Sequence, residues 1–373
     1  MELVESRRMK EFPRSLTSIV LFLIIAFASC WTLWEQDIFW QIRAGDEIIE
    51  NLELQRIDTW SYTAFGKKWI NCQWISTILL YFIFKIGGIA GLIISRGTLA
   101  GIISILLLKI CRTLIGYSQR NEFISVLITI LSFVAFYTRI QIRSEIFSLI
   151  LYSSLILTWL SPYSITRKRI QTFFILVVAT NVHVGLIPFF LITSFCFHIN
   201  TTEIKSRCFF LWSFIFLSST LLSPYHFEGI GYIFEHLIYF KGKVLYNPEM
   251  VRLSLNRFLH SRYMAPSFWI WSCFLGISAF SFIRLKNKLP QVYQNLWISI
   301  PTSAVMIWIV FERTRAISFS VIFFLPLIIL GIQNLEQLVS SKLNSLKYLP
   351  VFLITVLATL AFSYLIFVNK EFC

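Results

Sequence analysis

The sequence predicts an all-α protein, a polytopic bundle of membrane helices. Three observations carry this. Of the 373 residues, 57% are hydrophobic and only 14% charged, against roughly 25% charge in soluble domains. The apolar residues gather in runs near the length of about 20 residues that crosses ~30 Å of hydrocarbon. Between the runs, basic residues collect in alternate connections, as they do in cytoplasmic loops. A mean hydropathy of +0.71 leaves too little polar surface for a soluble domain. It also excludes disordered, collagenous, coiled-coil and disulfide-rich secreted chains.

The excess of Lys+Arg (33) over Asp+Glu (19) belongs to these loops. No soluble domain carries a basic stripe that would bind nucleic acid. The seven cysteines are scattered, mostly in apolar runs, with no paired or metal-binding spacing; they read as small hydrophobes.

Taken in order, the N-terminal tail carries Arg7, Arg8, Lys10 and Arg14 ahead of a first, uncleaved span at 16–34, which keeps the tail in the cytoplasm. A first outer loop, 35–73, follows. The run 74–111 is broken at Gly87-Gly88 and accommodates one span with a juxtamembrane helix, or two spans. Spans are expected at 122–138 and 146–160, and on either side of His183 within 170–200, which Asn181, His183 and Gly185 interrupt. Further spans are expected at 208–222, 267–283, 294–310, 316–333 and 348–368. With one crossing in 74–111, the basic loops 112–121, 161–169, 201–207, 284–290 and 334–347 fall inside. The polar connections 35–73, 139–145, 223–266 and 311–315, and the break at His183, then share the outer face. The expected architecture is a single domain, 1–373, of about eleven spans, N-in and C-out, with outer loops at 35–73 and 223–266.

The first outer loop is acidic. Residues 35–58 hold seven of the 19 carboxylates. From Asp37, Ile38, Ile42, Ile49 and Leu52 recur at helical spacing with Gly45 between them, predicting an amphipathic helix with its apolar stripe toward the membrane. Asp46, Glu47 and Glu50 read as its solvated face. Asp37 differs by position, because it follows the first span directly and is bracketed by Trp34, Phe39 and Trp40. A carboxylate partly desolvated there would serve as a base, where otherwise it would be a helix N-cap.

Other candidates lie on the same expected face. Arg139 and Arg143 occupy one short turn and Arg313 and Arg315 another. Each pair reads as a guanidinium fork for phosphate, or as partners of Glu145 and Glu312 or of lipid headgroups. His183 is either a hydrogen-bonded structural group or a site residue. Tyr225, His226 and Glu228 follow Pro224 at the outer end of a span, and 223–266 is long enough for one or two interfacial helices. No Walker A, GxGxxG or Ser/His/Asp motif is present. No metal-ligand spacing occurs, so the sequence names no cofactor and leaves a divalent cation open.

The strings DIFWQIRAGDEIIE (37–50) and DTWSYTAFGKKWINCQWI (58–75) resemble a bacterial branch of the GT-C-type membrane glycosyltransferases, a superfamily that includes protein O-mannosyltransferases and aminoarabinose transferases. The run LLYFIFKIGGIAGLIISRGTLAGIISILLLKICR (79–112) continues the likeness. Weaker echoes are RIQIRSEIFS, NVHVG, LLSPYHFEGI and ERTRAISF. The likeness implies a polyprenyl-phosphate-linked sugar as donor, an acceptor hydroxyl on the outer face, and Asp37 as catalytic base. Trp40, Asp58, Trp74, Arg139, Arg143, His183, Tyr225, His226, Arg313 and Arg315 are then expected to bind substrate. Two departures stand out: Asp37 has no second acid beside it (Gln36 and Ile38 flank it), and Cys72-Gln73 precede Trp74 where related sequences carry His or Glu. The sequence leaves two further functions open: a surface-polysaccharide polymerase or ligase, and a non-catalytic transporter or assembly subunit. The implied partners are membrane lipid and the lipid-linked donor, and the implied location is a bacterial inner membrane.

Overall fold

A computed structural model describes residues 14–31, 33, 35, 37–115, 118–202, 207–238, 265–312 and 316–342. Among the described residues the chain is helical, and its only strand-like pairing is an isolated antiparallel bridge between Ile57 and Lys68. Four helical segments are long and apolar enough to cross a membrane: Trp74–Leu114, Val184–Thr201, Ser267–Arg284 and Ile317–Leu338. Shorter apolar helices lie at Arg14–Ala28, Ser144–Leu160, Arg207–Ser219 and Leu296–Val310. The expected span at 348–368 lies outside the described residues.

Helix α1 (Arg14–Ala28) ends earlier than its apolar run. The cause is Arg96, fully buried in the facing helix. Its Nε donates to the Ser29 carbonyl at 2.9 Å, a second nitrogen donates to the Trp31 carbonyl, and the guanidinium lies 4.2 Å from the Trp31 ring centroid. Unpaired carbonyls at a helix end attract cations, so Arg96 closes α1 and fixes the start of the acidic loop.

Helix α2 (Asp37–Asn51) forms as predicted, but its apolar face meets protein instead of lipid. Ile38, Ile42, Gly45 and Ile48 are buried against the next helix, whereas Leu52 is exposed with a φ of 55°. Gly45 makes this contact possible: a Cβ there would stand 2.2 Å from the Thr77 carbonyl oxygen.

Helix α3 (Trp74–Leu114) bends at Gly88, whose φ of 56° and ψ of −147° interrupt it. That φ is disfavoured for any residue with a side chain. The half before the bend packs on α2. The half after it runs antiparallel to α1, with Gly97 beside Ala26, Gly101 beside Phe22 and Arg112 donating to Ser18 Oγ at 2.7 Å.

Helix α4 (Gln119–Ala135) begins at Ser118, whose hydroxyl accepts from the Asn121 N–H, an N-cap. A turn of 3-10 helix, Tyr137–Arg139, leads to α5 (Ser144–Leu160). Helix α6 (Ile165–Val182) stops at His183, and after a second 3-10 turn α7 (Ile187–Thr201) begins with Pro188 in its first turn. The break predicted at His183 is therefore real. Next come α8 (Arg207–Ser219), α9 (His226–Ile238) in the 223–266 connection, α10 (Ala265–Arg284), α11 (Leu296–Glu312) and α12 (Ile317–Lys342). Helix α12 lies at the centre, packed on α3, α4, α5 and α10, with Phe319, Phe323 and their neighbours fully buried.

Candidate functional site

The turn between α4 and α5 is a buried ion-pair cluster. Arg139 Nε donates to Glu145 Oε1 at 3.1 Å, and its Nη2 donates to Oε2. Arg143 Nη2 donates to Glu145 Oε2 at 3.2 Å, so one carboxylate holds two guanidinium groups. Arg143 also reaches outward. Its Nη1 lies 3.7 Å from Glu35 Oε2 and 4.0 Å from Asp37 Oδ2. Two of the sequence candidates, Asp37 and Arg143, therefore meet, although 106 positions separate them.

Asp37 sits in the first turn of α2, the favourable end for an acid. Its side chain is 59% exposed, so the expected desolvation is not found. The reason is rotational: Ile38, Gln41 and Ile42 are turned into the protein and leave Asp37 and Phe39 on the open side.

A second line of contacts runs from this cluster to the start of the 223–266 connection. Ser144, next to Arg143, donates its hydroxyl to Gln73 Oε1. The Gln73 N–H donates to Asn71 Oδ1 at 3.3 Å, and the Asn71 N–H donates to the Tyr225 hydroxyl at 3.2 Å. Beside it, the Val184 N–H donates to the Cys72 carbonyl at 2.8 Å, and the Trp74 indole donates to Asn181 Oδ1 at 2.9 Å. His183, buried between Asn181 and Val184, is thus tied to the same segment. Tyr225 is only 3% exposed, and removal from water pushes its phenol above the usual range. His226 stands at the rim, exposed, with a φ of 42° and Nδ1 2.9 Å from the Leu221 carbonyl.

Asp58 organises a turn of its own. Its Oδ1 accepts from the Trp60 and Ser61 N–H groups at 3.0 and 2.8 Å, and its Oδ2 from the Ser61 hydroxyl at 2.6 Å. The Ser61 hydroxyl and these amides hold its carboxyl below the usual range. The loop so formed is anchored on both sides. Trp60 donates to Glu47 at 2.8 Å, and Trp69 packs edge-on to Trp40 with centroids 6.1 Å apart. Glu47, expected on a solvated face, has this tethering role instead. On the far side, Arg56 and Lys68 reach Glu228 at 3.5 and 2.7 Å, and the Lys68 ammonium holds the Glu228 carboxyl below its ordinary value.

Asp37, Trp40, Trp74, Arg139, Arg143, His183 and Tyr225 therefore belong to connected contacts at one end of the bundle, with His226 at its edge and Asp58 in the covering loop. Arg313 and Arg315 lie outside the described residues. Among the described residues, no group of three or more His, Cys, Asp or Glu is placed to hold a metal ion. The sequence reading singled out neither Asn71 and Ser144 nor the cations Arg56 and Lys68. An Arg-Ser-Glu string at a helix start is the one local signal for Ser144; the others depend on contacts remote in sequence. The chain matches no protein-family model and no curated protein.

Proposed function

We propose that the chain is a multi-pass membrane glycosyltransferase of the GT-C type, transferring a sugar from a polyprenyl-phosphate donor to an acceptor hydroxyl. The reaction takes place on the outer face of a bacterial inner membrane, in a bundle of about eleven spans, N-in and C-out. The observation that carries this reading is the approach of Arg143 to Asp37 at 4.0 Å, in which a buried, always-charged guanidinium faces an open carboxylate. Inverting transfer needs that pair of groups. The acceptor oxygen attacks the anomeric carbon as its proton passes to Asp37, and the carbon–oxygen bond to phosphate breaks with its electrons leaving on the phosphate. Arg143, and Arg139 behind it, stabilise that charge from side chains that are themselves buried. The exposure of Asp37 suits this role, since an acceptor must reach it. Trp40, Trp74, Tyr225, His183 and His226 and the Asp58 turn complete the donor and acceptor walls, and Arg313 and Arg315 are further donor-binding candidates from the sequence.

The test is sugar transfer by purified protein with a polyprenyl-phosphate sugar and a hydroxyl acceptor. Asp37→Asn keeps shape but accepts no proton, and is expected to lower turnover by about 10²–10⁴-fold while insertion and folding stay normal. Near-normal transfer by a well-folded Asp37→Asn protein would remove the proposed base.

A further inference from the structure

Along α6, running from the end opposite His183 toward Asn181, lies a second feature, which the proposed reaction does not use. Helices α6 and α8 diverge on the bundle surface to leave an apolar groove of about 430 Å³, bordered by Ile170, Phe173, Trp212, Ile215 and Leu222. One end is closed where Asn181 Nδ2 donates to the Leu222 carbonyl at 2.8 Å. The other end opens at Trp212 beneath Arg169, whose guanidinium carbon lies 5.9 Å from the Trp212 centroid. Arg169 is 6% exposed, donates one nitrogen to Thr202 Oγ1 at 3.1 Å, and keeps a buried Nε with no hydrogen-bond partner. A buried guanidinium left partly unsatisfied is unfavourable. Arg167 and Arg207 are exposed at the same ends of their helices, and Lys168 adjoins them. From 161 to 222 the sequence holds one acid, Glu203, against the five cations Arg167, Lys168, Arg169, Lys205 and Arg207.

We propose that this groove binds an anionic phospholipid, with its phosphate on Arg169 and one acyl chain lying between α6 and α8. Charge complementarity argues for an anion, and basic pockets between membrane helices are where such headgroups dock. Dimensions argue for a lipid over a free anion. From Trp212 to the end of α8 at Ser219 the helical rise is about 10 Å, and the apolar walls along it suit an acyl chain and offer nothing to a free anion.

The experiment is native mass spectrometry of the full chain in detergent, titrated with dioleoylphosphatidylglycerol or dioleoylphosphatidylcholine. The phosphatidylglycerol is expected to bind at least about tenfold more tightly, with Arg169→Gln removing most of that preference. Arg167→Gln with Arg207→Gln, both at exposed positions, is expected to lower it by roughly fivefold per cation, and this holds even where Arg169→Gln fails to fold. Ile215→Trp, which fills the groove, is expected to weaken both lipids. Equal binding of the two lipids overturns the proposal. So does displacement of phosphatidylglycerol by millimolar glycerol 3-phosphate, which would make the ligand a free phosphate. Preferential displacement by a polyprenyl phosphate would assign the groove to the donor and equally overturn it.

Discussion

Glu145 is the residue whose removal the structure makes most consequential. Its side chain is 1% exposed and the two arginines it holds are each 6% exposed. Neutralising it takes the close carboxylate from two buried cations, while Arg143 keeps the looser contacts at 3.7 and 4.0 Å to Glu35 and Asp37. Removing one partner of a buried pair typically costs about 3–5 kcal/mol. At roughly 2 °C per kcal/mol, as for longer chains, Glu145→Gln should lower the melting temperature by about 6–10 °C. The assay is thermal unfolding of the purified protein in detergent, followed by tryptophan fluorescence. A compensating variant separates charge from packing. Arg139→Met combined with Glu145→Leu removes the tightest pair and leaves Arg143 with Glu35 and Asp37. Apolar replacement of a buried pair is often neutral or stabilising, so this double variant should recover the part of the loss that Arg139 causes. Glu145→Gln melting within about 1 °C of wild type, or a double variant no more stable than the single one, would refute the reasoning.

Gly45→Ala places a Cβ 2.2 Å from the Thr77 carbonyl, so α2 must lift from α3 at about 1–3 kcal/mol; Gly231→Ala, whose Cβ meets nothing within 4 Å, should not destabilise, and equal melting of the two variants would refute the contact. Asp58 has a folded pKa below its ordinary 3.8, so the stability it lends its loop is complete above that value and is lost as pH falls through the lower folded one. Trp60 fluorescence should therefore change at acid pH in wild type and not in Asp58→Asn, and identical acid titrations would exclude the turn-holding role. A topology reporter after residue 165 or 287 should be active only in its cytoplasmic form, and one near 245 only in its outer form; labelling of 245 from the cytoplasm would refute the shared outer face.

Much of the fold was legible in the sequence because the apolar runs and their interruptions are local. Asn181, His183 and Gly185 mark the break between α6 and α7, and Gly87-Gly88 marks the bend in α3. What was not legible depended on partners. The run through 34 concealed the end of α1 at Ala28, because Arg96, inside another apolar run, pairs with the carbonyls of Ser29 and Trp31. The stripe on α2 predicts contact with lipid, since periodicity identifies an apolar face without identifying what it meets. Gly45 was the available clue, because a helix residue without a side chain permits close approach of another backbone. The length of the 223–266 connection showed its capacity for a helix, and α9 occupies the start of it.

The site divides in the same way. Residue type and position selected Asp37, Arg139 and Arg143, and the structure adds how differently the two arginines are engaged. Arg139 gives both arms of its fork to Glu145 at close range. Arg143 gives Glu145 one nitrogen at 3.2 Å and directs another toward Glu35 and Asp37 at 3.7 and 4.0 Å. A hydrogen bond requires closer approach than those last two distances, so the attraction there is Coulombic and more easily exchanged. An arriving phosphate would compete for that arm with two carboxylates, one of them largely in water, while Glu145 keeps the guanidinium oriented. Arg139 would have to surrender a buried bidentate pair to do the same. On the proposed reading, the arginine that meets the donor is therefore Arg143, and Arg139 contributes by sharing Glu145 with it. Arg143→Lys should then impair transfer more than Arg139→Lys, because a lysine cannot hold Glu145 and a phosphate with the two edges of one planar fork. The reverse order, measured in the same transfer assay on proteins of equal thermal stability, would exchange the two roles.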